Sequence, residues 1–232
     1  MAKNDGRNAL QETRLDPRQA YPRLKEGLVL DTIDELVRRG AIEERRREIR
    51  AAALGLGRRY DLDEPHATHV ACLALSLFDQ LADLHTLGAE ERTLLEAAAI
   101  LHDVGLYVSM SKHHKHSYYL VSESDLVGLD RRQREIVANV VRYHRKAPPS
   151  AKHQHVAALS GKDRVIVQRL SAILRAADVL DREHRQNVHE VKVRPQEDEI
   201  LLELVADGDL LLERWAARRK FDLFETVFGV KL

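Results

Sequence analysis

The hydrophobic positions of the chain recur with the spacing of α-helices along most of its length. Between residues 64 and 85, the apolar positions are Val70, Leu73, Ala74, Leu77, Phe78, Leu81 and Leu84. This spacing of three and four residues predicts an amphipathic helix with a broad apolar stripe. Pro65 suits the first turn of that helix, and Gly88 interrupts the chain after it.

The same period predicts most of the remaining elements. It indicates helices over residues 24–40, 42–58, 89–104, 130–145 and 162–184, a short helix through Leu120, and a closing helix from Trp215 to Phe228. After Gln186 the period changes, because Val191 and Val193 alternate with polar residues and later leucines do so less cleanly. This alternation predicts a β-hairpin, with a third strand at 210–212. We therefore expect a mainly α-helical protein with a small antiparallel sheet.

Composition narrows the class of protein. Of the 232 residues, 44% are apolar and 32% are charged, and Lys+Arg equals Asp+Glu at 37 each, which excludes a disordered chain and a surface-wide polyanion binder. The single cysteine, Cys72, excludes a disulfide scaffold and is expected to be a buried apolar residue. Residues 1–14 lack an apolar signal segment, and no run approaches ~20 apolar residues, so we expect a cytoplasmic protein without a membrane partner.

Metal-ligating residue types stand on four predicted helices. His66, His102 with Asp103, His144 and Asp178 each lie four residues from a position of an apolar stripe. A spacing of four places a side chain within ~40° of that stripe, so each is aimed toward the interior. Carboxylates buried beside imidazoles require a cation, and a divalent metal accepts both kinds of donor. The pattern therefore favours a metal centre inside a helical bundle.

Structural alternatives remain open for each of these residues taken singly. A lone histidine on an apolar face is more often a hydrogen-bonded core residue. Asp178 could instead cap a helix or pair with Arg175 or Arg182. The order of the candidates, each on its own helix, is what favours the metal interpretation.

Several sequence blocks resemble known families. Three resemble the HD superfamily of metal-dependent phosphohydrolases: His66-Ala-Thr-His-Val, Ala-Ile-Leu-His102-Asp103-Val-Gly and Ala-Ala-Asp178-Val-Leu-Asp. Four are similar to the C-terminal HD-type domain of the exopolyphosphatase/guanosine pentaphosphatase (Ppx/GppA) family: Leu77-Phe-Asp-Gln, His113-His-Lys-His-Ser-Tyr-Tyr-Leu, Val141-Arg-Tyr-His-Arg-Lys and Leu180-Asp-Arg-Glu-His. This resemblance covers about 24–232 and implies an HD-type helical bundle with a small C-terminal antiparallel sheet and a closing helix.

The resemblance implies a set of metal ligands. Its HD pattern assigns His66, His102, Asp103 and Asp178 to one divalent ion, which could be Mn, Mg, Fe, Co, Ni or Zn. In dinuclear HD enzymes two further histidines bind a second ion, and His116 and His144 match those positions. Metal-activated water would then be the nucleophile, with Asp103 and His102 as the catalytic residues.

The resemblance also implies phosphate binding close to the metal. Many HD hydrolases have a lysine three residues after the aspartate, where this chain has Leu106. Nearby cationic and imidazole groups are the candidates for holding phosphate: Lys112, His113, His114, Lys115, Arg142, Arg145 and Lys146. A solvated loop and helix end without a ligand is the alternative interpretation of this group.

The expected function is hydrolysis of a phosphoanhydride or phosphoester in a nucleotide, alarmone or polyphosphate. The alternative is a non-catalytic binding or regulatory module that partners a separate actin-like domain, the domain that carries exopolyphosphatase catalysis in the family. Residues 23–31 resemble the tail of that domain. We further expect a small phosphorylated ligand, no specific nucleic acid, a homodimer, and a division into 1–60 (helical lead-in), 61–186 (HD-type core) and 187–232 (hairpin and closing helix).

Overall fold

The computed structural model describes residues 17–197 and 199–232, with side chains from Thr32 onward except those of Asp34, Asp198, Arg218 and Arg219. The expected absence of a signal segment over 1–14 therefore lies outside the described residues. The chain divides into two compact units, 1–44 and 45–232, and the site described below belongs entirely to the second.

One long helix, α1, covers Pro17–Arg59. The predicted interruption near Gly40 is wrong, since the helix continues through it. A glycine inside a helix costs only about 1 kcal/mol relative to alanine, so it weakens a helix without ending it.

The unit 45–232 is mainly helical, as predicted. Its further described helices are α2 (Glu64–Gln80), α3 (Ala82–His85), α4 (Ala89–Leu101), α5 (His113–Ser122), α6 (Arg131–Arg142), α7 (Gln154–Ala157), α8 (Gly161–Val179), α9 (Leu211–Lys220) and α10 (Asp222–Phe228). A short 3₁₀ helix, Val104–Tyr107, follows α4. Helices α2, α4, α6 and α8 pack together around fully buried side chains such as Val70, Leu95, Val137 and Leu174.

The predicted hairpin is confirmed. Strands β1 (Val188–Pro195) and β2 (Ile200–Ala206) pair antiparallel, with Val191 opposite Leu204. The third strand expected at 210–212 is wrong, because helix α9 begins there. Gly208 adopts the left-handed conformation, with φ of 73°, in the turn that leads from β2 toward this helix.

Cys72 is exposed, not buried as expected, because it lies about 200° around α2 from Val70, on the face opposite the apolar stripe. Among the described helices, none combines the length and the hydropathy that a membrane span requires.

Candidate metal centre

Two groups of potential metal ligands meet where several helices end. The first contains His66, His102 and Asp103, and the second contains Asp103, His113 and His144. Within each group, one ligand atom from each residue lies within 4.8 Å of the others. His66 and His113 lie in the first turns of α2 and α5, whereas His102 directly follows α4 and His144 lies two residues after α6. The beginnings of two helices and the ends of two others therefore bring these side chains to one end of the bundle.

The carboxylate of Asp103 lies between the two groups. Its Oδ2 is 3.6 Å from His102 Nε2, while its Oδ1 is 3.1 Å from His113 Nε2 and 3.4 Å from His144 Nε2. Oδ1 is buried and has no hydrogen-bond partner among the described residues. A buried oxygen without a partner is costly, and a cation held jointly by the carboxylate and the imidazoles would satisfy it.

Hydrogen bonds fix the orientation of the imidazole rings. Nδ1 of His102 and Nδ1 of His144 each donate to the carbonyl oxygen three residues earlier, at 2.7 and 2.6 Å. Nδ1 of His66 lies 2.8 Å from Oδ2 of Asp181. These acceptors hold the proton on Nδ1 and leave the Nε2 lone pair for a ligand, which is the arrangement of metal-binding histidines.

The Nε2 atoms also face one another. The distance is 3.3 Å between His66 and His102, and 3.3 Å between His113 and His144. Opposed nitrogen lone pairs at this distance repel unless a proton or a cation lies between them. The donor set of imidazoles and one shared carboxylate therefore fits divalent ions such as Mn, Fe, Co, Ni or Zn.

The electrostatics of the centre reflect its burial. Burial alone would lower the pKa of His102, but Asp103 and Asp178 outweigh it and raise that pKa to about 9. Burial lowers the pKa of His144 to about 3. Burial would raise the pKa of Asp103, yet His102 and His113 hold it well below its usual range. Asp103 is thus ionised and His144 neutral, which are the protonation states that bind a metal, whereas His102 is protonated in the metal-free centre and would release its Nε2 proton to a bound ion.

Asp178 lies at the border of this centre. Its Oδ1 is 3.6 Å from His102 Nε2, but Asp178 belongs to neither three-residue group, and its Oδ2 forms an ion pair with Lys220 of α9. The alternative pairing with Arg175 is not found. The guanidinium of Arg175 instead donates to the carbonyl oxygens of Tyr143, Lys146 and Ala147.

The structure brings His113, not His116, to the second group. His116 is half-buried on α5 and belongs to neither group among the described residues. The two residues share a helix face, but three residues along a helix is a rise of about 4.5 Å. Only the first residue of α5 therefore reaches the end of the bundle where His144 lies.

The expected phosphate-binding residues occupy different surroundings. Lys112, Lys115 and Lys146 are exposed, and Nη1 of Arg145 lies 3.1 Å from His113 Nε2, beside the second group. His114 is buried, and burial together with nearby cations lowers its pKa to about 4.

The side chain of Arg142 packs against two tyrosines. Its guanidinium lies over the rings of Tyr118 and Tyr143, at 5.9 and 5.7 Å from their centroids. Arg142 thus packs against aromatic rings, whereas Arg145 lies beside His113.

Three residues of the site escaped the sequence interpretation. Asp181 carried a signal, because it follows Asp178 by three residues and so lies near it at the end of α8. Arg175 was weighed only as a partner of Asp178. Lys220 carried no signal, since it is 42 residues from Asp178 along the chain.

Comparison with known proteins shows the family of this chain. Residues 49–218 match the family model described as Ppx/GppA phosphatase, domain III. The chain is 33% identical over 186 residues to the guanosine-5'-triphosphate,3'-diphosphate pyrophosphatase of Vibrio vulnificus, covering 79% of this chain and 35% of that protein. It is 34% identical over 190 residues to the protein of the same name from Vibrio parahaemolyticus, covering 81% and 34%.

A more distant relative of that name, from Photobacterium profundum, is 30% identical over 166 residues and covers 70% of this chain and 31% of the relative. The chain spans about a third of the length of the curated relatives that it matches. With the family model covering most of its length, this chain belongs to the Ppx/GppA phosphatase domain III family.

Proposed function

We propose that the chain is an HD-type, divalent-metal-dependent phosphohydrolase that acts on a phosphoanhydride or phosphoester, such as a nucleotide, an alarmone or a polyphosphate. The observation that carries this proposal is the shared carboxylate of Asp103, whose buried Oδ1 has imidazole neighbours but no hydrogen bond within the part of the chain that the structure describes. The names of the relatives, which are pyrophosphatases, support the same class of reaction.

When bound, a divalent ion would lower the pKa of a coordinated water and polarise a phosphoryl oxygen. His66, His102 and Asp103 form one candidate set of ligands for such an ion, and Asp103, His113 and His144 form the other. The pKa of Asp103 lies well below its usual range, so this carboxylate is suited to orient water by accepting a hydrogen bond. Arg145, beside His113, would bind the phosphate through charge-assisted hydrogen bonds.

The test combines metal analysis with a phosphatase screen. The wild-type protein, purified without chelator, is expected to contain a divalent metal and to hydrolyse at least one of nucleotides, polyphosphate or phosphoesters. The variant Asp103→Asn should lose metal and about a hundredfold or more of the activity, since even outer-shell changes at metal sites cost 10- to 100-fold. Asp207→Asn, which alters an exposed His–Asp pair, is the matched control. Full activity in Asp103→Asn would contradict the proposal.

A second candidate is a metal-free binding module for the same phosphorylated ligands. Lys220 already pairs with Asp178, and Arg145 contacts His113, so the protein places its own cations at this centre. This candidate predicts anion binding in the presence of a chelator and no turnover under any metal condition. Turnover that requires added metal would exclude it.

A further inference from the structure

A pocket of about 650 Å³ lies between strand β2 and helix α9. This volume is within the range of small-molecule sites. The apolar part of its lining comes from β2 and from α9 with its two capping residues, and includes Ile200, Leu202, Leu204, Leu210, Ala217 and Phe221. The pocket contains none of the residues of the two metal-ligand groups.

The periods of the two elements explain why this lining is apolar. The three residues from β2 are two positions apart along the strand, so their side chains share one face of it. Leu210, Glu213 and Ala217 follow one another at intervals of three and four residues, so they share one side of α9. Glu213 therefore occupies a position of an apolar stripe, where a carboxylate is unexpected.

The carboxylate of Glu213 is buried and poorly compensated. Its side chain forms part of the pocket wall, and the residue is only 3% exposed. Oε2 has no hydrogen-bond partner among the described residues, and Oε1 accepts a long hydrogen bond of 3.4 Å from the backbone amide of Glu183. A buried carboxylate without a partner is costly for the fold, and a cation bound in the pocket would offset that cost.

The charge of the lining also favours a cation. The charged residues that line the pocket, within the part of the chain that the structure describes, are Glu199, Asp209, Glu213 and Arg214. Acidic groups thus outnumber basic ones, which attracts a positively charged ligand and disfavours a negatively charged one. A phosphorylated compound is therefore not the ligand that this pocket suits.

We propose that this pocket binds a primary aliphatic amine, whose ammonium group contacts the carboxylate of Glu213 while its hydrocarbon chain packs against the apolar residues of β2 and α9. An alkylamine, like the side chain of lysine, is protonated at neutral pH. The binding requires neither a metal nor turnover, so it goes beyond the proposed function and does not depend on it.

The experiment measures ligand binding to the full chain by calorimetry at neutral pH, in the presence of a chelator. The ligands are octylamine, butylamine, octan-1-ol and octanoate. We expect octylamine to bind at least about tenfold more tightly than octan-1-ol or octanoate, because only the amine pairs with the carboxylate. Butylamine should bind about fiftyfold or more weakly than octylamine, since each buried methylene contributes about fourfold.

Three variants locate the binding. Glu213→Gln keeps the shape of the side chain but removes its charge, so it should lose about tenfold or more in affinity for octylamine and keep its affinity for octan-1-ol. Ala217→Leu narrows the pocket and should weaken the binding of both ligands. Glu225→Gln, at an exposed glutamate of α10, is the matched control and should bind as the wild type does.

Thermal unfolding provides a second measurement that does not depend on calorimetry. Glu213→Gln removes an uncompensated buried charge, so its melting temperature should be no lower than that of the wild type. Octylamine should raise the melting temperature of the wild type and of Glu225→Gln more than that of Glu213→Gln, because a ligand stabilises the folded state in proportion to its affinity.

The outcomes separate the amine pocket from the proposed function. Absence of octylamine binding, equal affinity for octylamine and octan-1-ol, or unchanged octylamine affinity in Glu213→Gln would overturn the amine pocket, whatever the metal centre does. Unchanged octylamine affinity in Ala217→Leu would place the amine outside this pocket and overturn it as well. Octylamine binding that depends on Glu213, in a protein without phosphatase activity, would support the pocket and reject the hydrolase.

Discussion

Asp181 Oδ2 lies 2.8 Å from Nδ1 of His66, and both side chains are almost completely buried. The same carboxylate accepts a hydrogen bond from the backbone amide of Gln186 through Oδ1, at 2.7 Å. Asp181 therefore fixes the ring of His66 and the turn after α8 together. A candidate ligand histidine and the turn after α8 thus depend on one buried carboxylate.

Replacing Asp181 by asparagine should weaken metal binding. The amide keeps the shape and can still accept from Nδ1, but it lacks the charge that increases the basicity of the ring. We expect the affinity for Mn²⁺ to fall about 10- to 100-fold with the circular dichroism spectrum retained. Calorimetric titration measures it, with Asp207→Asn as the matched surface control. An affinity equal to that of the wild type would show that Asp181 is only structural.

Gly105 should not tolerate a side chain. A Cβ there would collide with the backbone of His113 and Ser117 and would lie 2.7 Å from Ser117 Oγ, which accepts a hydrogen bond from the Gly105 amide. Gly105→Ala should therefore destabilise the fold by about 1–3 kcal/mol and displace His113. Urea unfolding measures this change.

The matched control for that experiment is Gly55→Ala. A Cβ at Gly55 meets no atom within 4 Å, and the residue lies inside α1. This variant should gain about 0.5–1 kcal/mol, because alanine favours helix. Equal effects of the two substitutions would contradict the close approach at Gly105.

Removing the amine of Lys220 should couple stability to metal. In Lys220→Met, the buried carboxylate of Asp178 loses its ion-pair partner, and the free energy of unfolding of the metal-free protein should fall by about 1–3 kcal/mol. A divalent ion would restore the compensating charge, so metal should raise the melting temperature more in the variant than in the wild type. Thermal unfolding with and without EDTA checks this difference. Identical increases would argue against a metal next to Asp178.

His155 should make the fold sensitive to acid. Burial, followed by the charge of Arg142, lowers its pKa to about 4, and its Nε2 lies 2.8 Å from the hydroxyl of Tyr143. The unfolded chain, with a histidine pKa near 6.5, binds the proton first as the pH falls. The stability contribution is therefore complete above about pH 6.5 and is lost as the pH falls toward about 4.

Urea unfolding between about pH 7.5 and about pH 4 measures this loss in the wild type and in His155→Gln. Glutamine keeps an acceptor for the Tyr143 hydroxyl but does not titrate, so its stability should fall less steeply with acid. Parallel pH profiles for the two proteins would contradict the assignment.

Much of the fold followed from local pattern. The apolar stripe over 64–85 predicted α2 and α3, and the alternation at Val191 and Val193 predicted the hairpin, because helix and strand periods are local properties of the chain. The expectations that failed concern where a helix ends, where a strand forms and which face of a helix is buried. Gly40 did not stop a helix, 210–212 did not form a strand, and Cys72 lies on the outer face of α2.

The sequence predicted which types of residue form the site, but it did not predict which of the histidines on α5 would lie beside His144. The order of His66, His102, Asp103 and His144 along predicted helices indicated that imidazoles and a carboxylate would meet, and the structure brings these four together. The choice between His113 and His116 depended on where α5 begins, and the sequence period leaves helix ends uncertain by one turn.

What the sequence by itself determined is the set of helices and the chemistry that they carry, since periodicity and residue type are written along the chain. Only the tertiary structure decided that Lys220 pairs with Asp178 and that Asp181 holds His66. These relationships join residues 42 and 115 positions apart, where the geometry depends on how whole elements pack and not on local spacing.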